Sequence, residues 1–422
     1  VFYDLTEDDL YRGEAIFSGA GVGEHYANTA WEDRGLLVRG PVTLALKDAA
    51  RDLFLKQGIA ERDLPPALLP RPRALDYDAQ VARFTAMQPR TLRAVALLNG
   101  TGFDDKMVNL AKAILYTCMP AGSVIKVPDS LWNGTFWGSA LLGASLRGVR
   151  VLVIAPALAN APARAFGSIV RSRELMWRLH QAATVLAPEI AASGGLLKVG
   201  IYASDLPITD IPGKVRAVRQ TLQREPWLRD LFAYPPQVYP GLDSLADALD
   251  AIPALRDTAP DFEADGGSKL HLKANFFASR EAWTALGRYE WVGMTREFVA
   301  RRIAQVQQRS AAVASFREYP DALIDVGGDE MQRWFESLTA AQRARVIFYT
   351  ILGSHNQNER SIAMDGEVAI ILSQWPAVIP YLDLISIIGQ TRWLQSAAEL
   401  DALLPPSHGL KVRLAHWFKL IF

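Results

Sequence analysis

A chain of 422 residues, half of them apolar, can bury a large core, as two lobes or as one domain with an internal pseudo-repeat. Its 45 basic and 45 acidic residues cancel, which excludes a global field that would draw in nucleic acid. The single cysteine, Cys118, excludes an internal disulfide, and the six histidines show no metal-ligand spacing, so the expectation is chemistry without metal or cofactor.

The chain opens on Val1 with no visible signal peptide. The numbering therefore reads as starting inside a longer gene product, and a secretion signal could lie upstream of it. Val1-Phe2-Tyr3-Asp4 is strand-like. Glu14 to Ser18 leads into the glycine-rich turn Gly19-Ala20-Gly21-Val22-Gly23. Trp31-Glu32-Asp33-Arg34 follows, then a strand from Gly35 to Arg39, Gly40-Pro41, and an amphipathic helix near Val42–Lys56. Pro65, Pro66, Pro70 and Pro72 mark residues 58–80 as a linker.

From Arg93 onward strands and helices alternate. A helix runs from Asp104 to Tyr116 and a strand from Ser123 to Val127. A second helix spans Ser130 to Arg147, and a buried strand spans Gly148 to Pro156. Helices cover 167–193, Leu196 to Tyr202 is a strand, and 203–265 is irregular apart from a helix near Ile211–Gln223. A strand at 269–277 precedes helices near 280–286, 293–317 and 338–345. The expected fold is α/β, with mixed, mainly parallel sheets flanked by helices.

Val368–Ile388 is the most apolar long stretch. It contains Gln374, Pro376, Pro380 and Asp383, so it reads as a buried strand and core helix rather than a membrane span. Leu410–Phe422 mixes apolar residues with Lys and Arg, which suits either a lipid surface or a helix docked on the body. Trp132, Phe136 and Trp137 read as a packed aromatic cluster or as the lining of an acyl-chain entrance.

Two stretches carry chemistry. In Lys269-Leu270-His271-Leu272-Lys273-Ala274-Asn275, strand periodicity puts His271 and Lys273 on one face, an imidazole beside an ammonium. About eighty residues on, the apolar run Val346–Leu352 ends in Gly353-Ser354-His355-Asn356, which presents a hydroxyl and an amide, and Glu367 follows Ser354 by thirteen residues. An imidazole, a fixed cation and neutral donors suit attack on a phosphodiester: one group attacks phosphorus while the others hold the developing charge. A lone His-x-Lys could equally be an ordinary strand pair, and Ser354 and Asn356 ordinary turn residues. His355 points the other way, His25 reads as a polar turn residue rather than a replacement nucleophile, and His180 reads as structural.

His-x-Lys, then Gly-Ser-x-Asn, then Glu367 resembles half of a phospholipase D superfamily site. The resemblance implies two pseudo-repeated lobes with the site between them. Residues 1–80 would be the end of the first lobe plus linker, and 81–422 the second lobe with a helical insertion at about 280–345. It implies catalytic roles for His271, Lys273, Ser354 and Asn356, with Glu367 orienting the imidazole, and substrate contacts from Gly353, Asn275, Gly19 and Gly21. Asp4, Glu32 and Asp33 would support the first half. Three positions depart from the pattern: Ala278 stands where Asp is frequent, Gly21 where Asn is expected, and Gly19 where Ser is.

The reaction so implied is cleavage of a phospholipid headgroup through a phosphohistidine, by hydrolysis or transfer. The enzyme would be soluble or peripheral to a membrane. A nuclease of the same superfamily and a catalytically weak lipid-binding relative are the alternatives. The first lacks its basic stripe, and the second fits the altered first half.

Overall fold

A computed structural model of the chain describes residues 2–3, 13–18, 31–33, 35–68, 79, 82, 93–99, 106–161, 166–206, 211–232, 267–288, 335–363, 365–373, 384, 387–407 and 409–417. In chain order the strands are β1 Phe2–Tyr3, β2 Glu14–Ser18, β3 Trp31–Glu32, β4 Gly35–Arg39, β5 Arg93–Asn99, β6 Val124–Pro128, β7 Arg150–Pro156, β8 Leu196–Tyr202, β9 Lys269–Leu270, β10 Ala274–Ala278, β11 Phe348–Gly353, β12 Glu367–Ser373 and β13 Thr391–Trp393. The helices used below are α1 Val42–Lys56, α2 Met107–Cys118, α3 Thr135–Leu146, α4 Phe166–Val185, α5 Ala187–Ala192, α6 Ile211–Arg224, α7 Pro226–Phe232 and α8 Leu410–Trp417.

Among the described residues the main sheet has eight strands in the order β13-β8-β7-β6-β10-β11-β12-β5. Strands β6, β7 and β8 are parallel neighbours, joined by the crossover helices α3, α4 and α5. The remaining neighbours pair antiparallel. The α/β fold is therefore mixed as expected, but its balance is antiparallel rather than mainly parallel. Parallel neighbours need a long crossover between them, and only the segment 124–202 supplies crossovers between adjacent strands.

The central strands are buried on both faces, and their side chains sort by period two into two cores. Ile125, Val127, Val151, Val153, Phe277 and Ile351 lie in the core that includes Val108, Trp137, Leu141 and Met176 from α2, α3 and α4. Val124, Leu152, Ile154, Phe276 and Leu352 face the opposite core, with Leu46 of α1, Leu222 of α6 and Leu228 of α7. Trp132 and Trp137 are fully buried, while Phe136 is exposed.

The N-terminal segment forms a three-stranded antiparallel sheet, β1-β2-β4, with Ala15 and Val38 in that second core. Gly40, with φ 88°, turns the chain into α1, and the Thr43 hydroxyl donates to its carbonyl. Asp4, Gly19 and Gly21, the linker beyond residue 68 apart from positions 79 and 82, and the expected helix at 293–317 lie outside the described residues. Helix α8 packs along α4 with Ala415 buried and Trp417 turned outward. Among the described residues no helix is long and apolar enough to cross a membrane.

Two local expectations change. The strand expected over 269–277 is two strands, because β9 pairs in parallel with β3 whereas β10 pairs with β6 and β11. His271-Leu272-Lys273 is the crossing between those pairings. The helix expected from Ser130 begins instead at Thr135. Residues 129–134 engage the segment 356–359, so their polar groups are committed before the helix starts.

Gly353 sits where β11 and β12 approach closely. A Cβ there would lie 2.3 Å from the Val368 carbonyl oxygen and 2.8 Å from Ala369 Cα. Gly353→Ala should part the two strands and cost about 1–3 kcal/mol. Urea denaturation checks this, and an unchanged midpoint would mean the strands yield freely.

Candidate active site

One edge of the main sheet collects the groups that can do chemistry. The carboxyl ends of β5, β6 and β11 meet the amino ends of β10 and β12 there. This is the edge of an open α/β sheet at which ligands characteristically bind.

The parallel pairing of β3 with β9 sets Glu32 opposite Leu270, so the next residues, Asp33 and His271, emerge side by side. Asp33 Oδ2 lies 2.7 Å from His271 Nδ1. The Lys273 ammonium lies 2.8 Å from His271 Nε2 and 3.0 Å from Nδ1, and donates to the His271 carbonyl at 2.9 Å. His271 and Lys273 are thus brought together as the strand period predicted, although they lie in a crossing rather than a regular strand. Both are buried, at 8% and 5% exposure, which leaves the imidazole at the edge of the protein's interior.

Lys273 also forms an isolated antiparallel bridge with Asp129, the residue after β6. Burial lowers the Lys273 pKa, and the carboxylates of Asp33, Asp129 and Glu367 oppose that shift. Asp129 is fully buried, with its oxygens accepting from the backbone N–H groups of Leu131 at 2.9 Å and Gln357 at 3.1 Å. Burial nevertheless raises its pKa to about 7, against the pull of Lys112 and Lys273.

Antiparallel pairing of Ala274 with Leu352 carries Gly353-Ser354 to the Lys273 end of β10. Ser354 Oγ donates to Glu367 Oε2, and Ser361 Oγ donates to Oε1 at 2.6 Å. The expected Glu367–His271 pairing is therefore replaced. Glu367 holds the serine turn, and Asp33 holds the imidazole, because β3 delivers its carboxylate directly alongside. Burial raises the Glu367 pKa, and the two serine hydrogen bonds counter that. Asn356 is half-buried, and its Oδ1 accepts from Ser130 Oγ at 2.9 Å.

Asn275, expected to contact substrate, is instead fully buried in β10. Its Oδ1 accepts from the Tyr116 hydroxyl and, at 2.9 Å, from Gln357 Nε2. Depth along the strand explains this: Asn275 is two residues past Lys273, where β10 has already entered the sheet between β6 and β11. Glu32 contributes backbone pairing to β9.

The loop 129–134 is the part of the site that sequence reasoning missed. Besides Asp129 and Ser130, Asn133 and Gly134 donate backbone N–H bonds to the Gln357 carbonyl at 3.2 and 2.9 Å. Asn133 Oδ1 accepts from Glu359 N at 2.8 Å. Its only sequence signal was a polar cluster, Asp129-Ser130 and Asn133-Gly134, after a strand of apolar residues.

No protein-family model and no curated protein sequence matches the chain. Among solved structures it is similar to the phosphatidylserine synthase of Haemophilus influenzae Rd KW20, with a TM-score of 0.44 and 11% identity, over 97% of this chain and 69% of that one.

Asp129 has a consequence for stability. Its pKa rises from 3.8 to about 7 on folding. Between those values the folded state holds more protons than the unfolded state, so this group's contribution falls as pH rises. Chemical denaturation from pH 4 to 7 should show wild-type stability declining relative to Asp129→Asn. Parallel curves would place the titration elsewhere.

Proposed function

We propose that the chain carries one half of a phosphodiester-transfer site of phospholipase D type, acting on phospholipid headgroups. The observation that supports this best is the arrangement around His271. A carboxylate holds Nδ1, which directs the Nδ1–H tautomer and leaves Nε2 as the reactive nitrogen beside the Lys273 ammonium.

As nucleophile, Nε2 would form a nitrogen–phosphorus bond while the bond from phosphorus to the headgroup oxygen breaks. That oxygen leaves as an alcohol after taking a proton from an acid. Water or an acceptor alcohol would then displace the imidazole from phosphorus and give up a proton to a base. In the complementary role, protonated Nε2 would be the acid that serves the leaving alcohol. Lys273 would hold the non-bridging oxygens with Asn356 and with Ser354, whose hydroxyl would turn to the phosphate from Glu367, and Asp33 would stabilise the imidazolium. On this reading residues 1–80 form the end of a first lobe, from which Asp33 reaches across to serve the histidine of the second.

The balanced net charge supports a lipid rather than a nucleic-acid substrate, since a nuclease groove needs a basic track along the backbone. Outward-facing Trp417 at the C-terminal helix would suit peripheral contact with a bilayer.

Headgroup release from phosphatidylcholine or phosphatidylethanolamine vesicles, beside plasmid nicking, tests the proposal. The wild-type chain should release headgroup and leave the plasmid intact. His271→Ala should lower release by about 10³-fold or more while retaining the fold. Wild-type-like release by that variant would refute the assignment, and nicking without headgroup release would make the chain a nuclease. Lys273→Ala should weaken vanadate binding, and unchanged affinity would move the anion pocket away from this edge.

A further inference from the structure

Behind the serine turn lies a second buried lysine. Lys112, on the inner face of α2, is 1% exposed. Its ammonium lies 2.9 Å from His355 Nδ1 and donates to the His355 carbonyl at 3.1 Å. On the far side of that ring, Nε2 lies 2.5 Å from Asn109 Oδ1, one helical turn earlier on α2. Asn109 is itself tied by its Nδ2 to the Ile362 carbonyl at 2.8 Å.

This geometry selects one state of His355. An ammonium can only donate, so Nδ1 accepts and Nε2–H donates to Asn109. The ring is neutral, and burial followed by the Lys112 charge pushes its pKa well below 6.5. With the ring and carbonyl of His355 both held from inside, Ser354 and Asn356 on either side of it are the half-buried residues of the turn.

A buried cation here is not needed for packing. Lys112 lies among Val108, Tyr116 and Trp137, and a methionine would fill similar space without the desolvation cost. Burial lowers its pKa to about 8, while Asp129 and Glu367 pull it up. The charge is retained where it hydrogen-bonds the turn and where the carboxylates of Asp129 and Glu367, which also bind that turn, act on it electrostatically.

We propose that Lys112 is a positioning residue for the anion-binding turn, acting through the His355 imidazole and carbonyl to set Ser354 and Asn356 against the site. The role assigned to those two residues rests on the function proposed above. The charged and titratable groups facing the pair are Lys106 at the start of α2, Asp129 after β6 and Glu367 on β12.

The test uses the full chain and the variants Lys112→Met, His355→Gln, the double variant and Lys112→Arg. Headgroup release and vanadate affinity are measured beside melting temperature and the NMR titration of the His355 ring. Each single variant should lose about 10²-fold in turnover. The double variant should lose no more than the worse single one, because both act through one contact. Lys112→Arg should recover most of the loss, and melting temperature should not track these changes. In Lys112→Met the His355 pKa should rise, since a neighbouring cation is gone. Full turnover in Lys112→Met, or additive losses in the double variant, would overturn the proposal. If the wild-type chain neither turns over phosphodiesters nor binds vanadate, the proposed function fails, and the titration decides alone. A His355 pKa unmoved by Lys112→Met then sinks the inference entirely, and an upward shift upholds only its structural half, the hold of Lys112 on the turn through His355, while the anion-binding half falls with the function.

Discussion

Two lysine ammonium groups are withdrawn from water at one edge of the main sheet, and the surrounding structure keeps carboxylates within reach of both. Lys273 has Asp33, Asp129 and Glu367 for company, and Lys112 has Asp129 and Glu367. A lone buried ammonium would shed its proton, because burial alone costs several pKa units. The acids have the converse problem. Asp129 and Glu367 are buried enough to be driven toward the protonated form. Each side of this cluster therefore offsets part of the burial shift of the other. For the function proposed above, a cation held in that way would need little reorganisation to meet a phosphate, which is the requirement for electrostatic preorganisation.

Several hydrogen bonds around the cluster run between side chain and backbone, so the charges also hold the loops. Asp129 binds the amides of Leu131 and Gln357, and Lys112 binds the His355 carbonyl. The loop after β6 and the turn after β11 are far apart in sequence, yet they close on each other through Ser130–Asn356 and Asn133–Glu359. Asn275 and Tyr116 extend that lattice into the sheet. The result is a serine turn supported from behind by β10, α2 and the 129–134 loop together, with the imidazole of His271 on the adjoining crossing.

Much of this was legible beforehand. Apolar runs such as Arg150–Pro156 and Leu196–Tyr202 are strands because they are short, β-branched and bounded by small residues, and those properties are local. The neighbourhood of His271 and Lys273 followed from their spacing under a strand reading, although the pair lies in the crossing between β9 and β10. The direction of the sheet did not, since parallel or antiparallel pairing is decided by which strands become neighbours. β10 inserts between β6 and β11, so two long-range partners set its direction. The helix start misplaced at Ser130 has the same origin, because the polar groups that delay it are bound by residues more than two hundred positions away.

The amino-acid sequence by itself determined which residues are candidates for the proposed chemistry: the His-x-Lys pair, the Gly-Ser-x-Asn turn and the acids near them, because side-chain type and strand period are properties of adjacent residues. Only the tertiary structure decided which acid serves which group. Asp33 reaches His271 through the parallel register of β3 with β9, and Glu367 turns to Ser354 and Ser361. The role of Lys112 was hidden for the same reason. On α2 it reads as one more helical lysine, and its meaning comes from burial against a turn that lies 243 residues further along the chain.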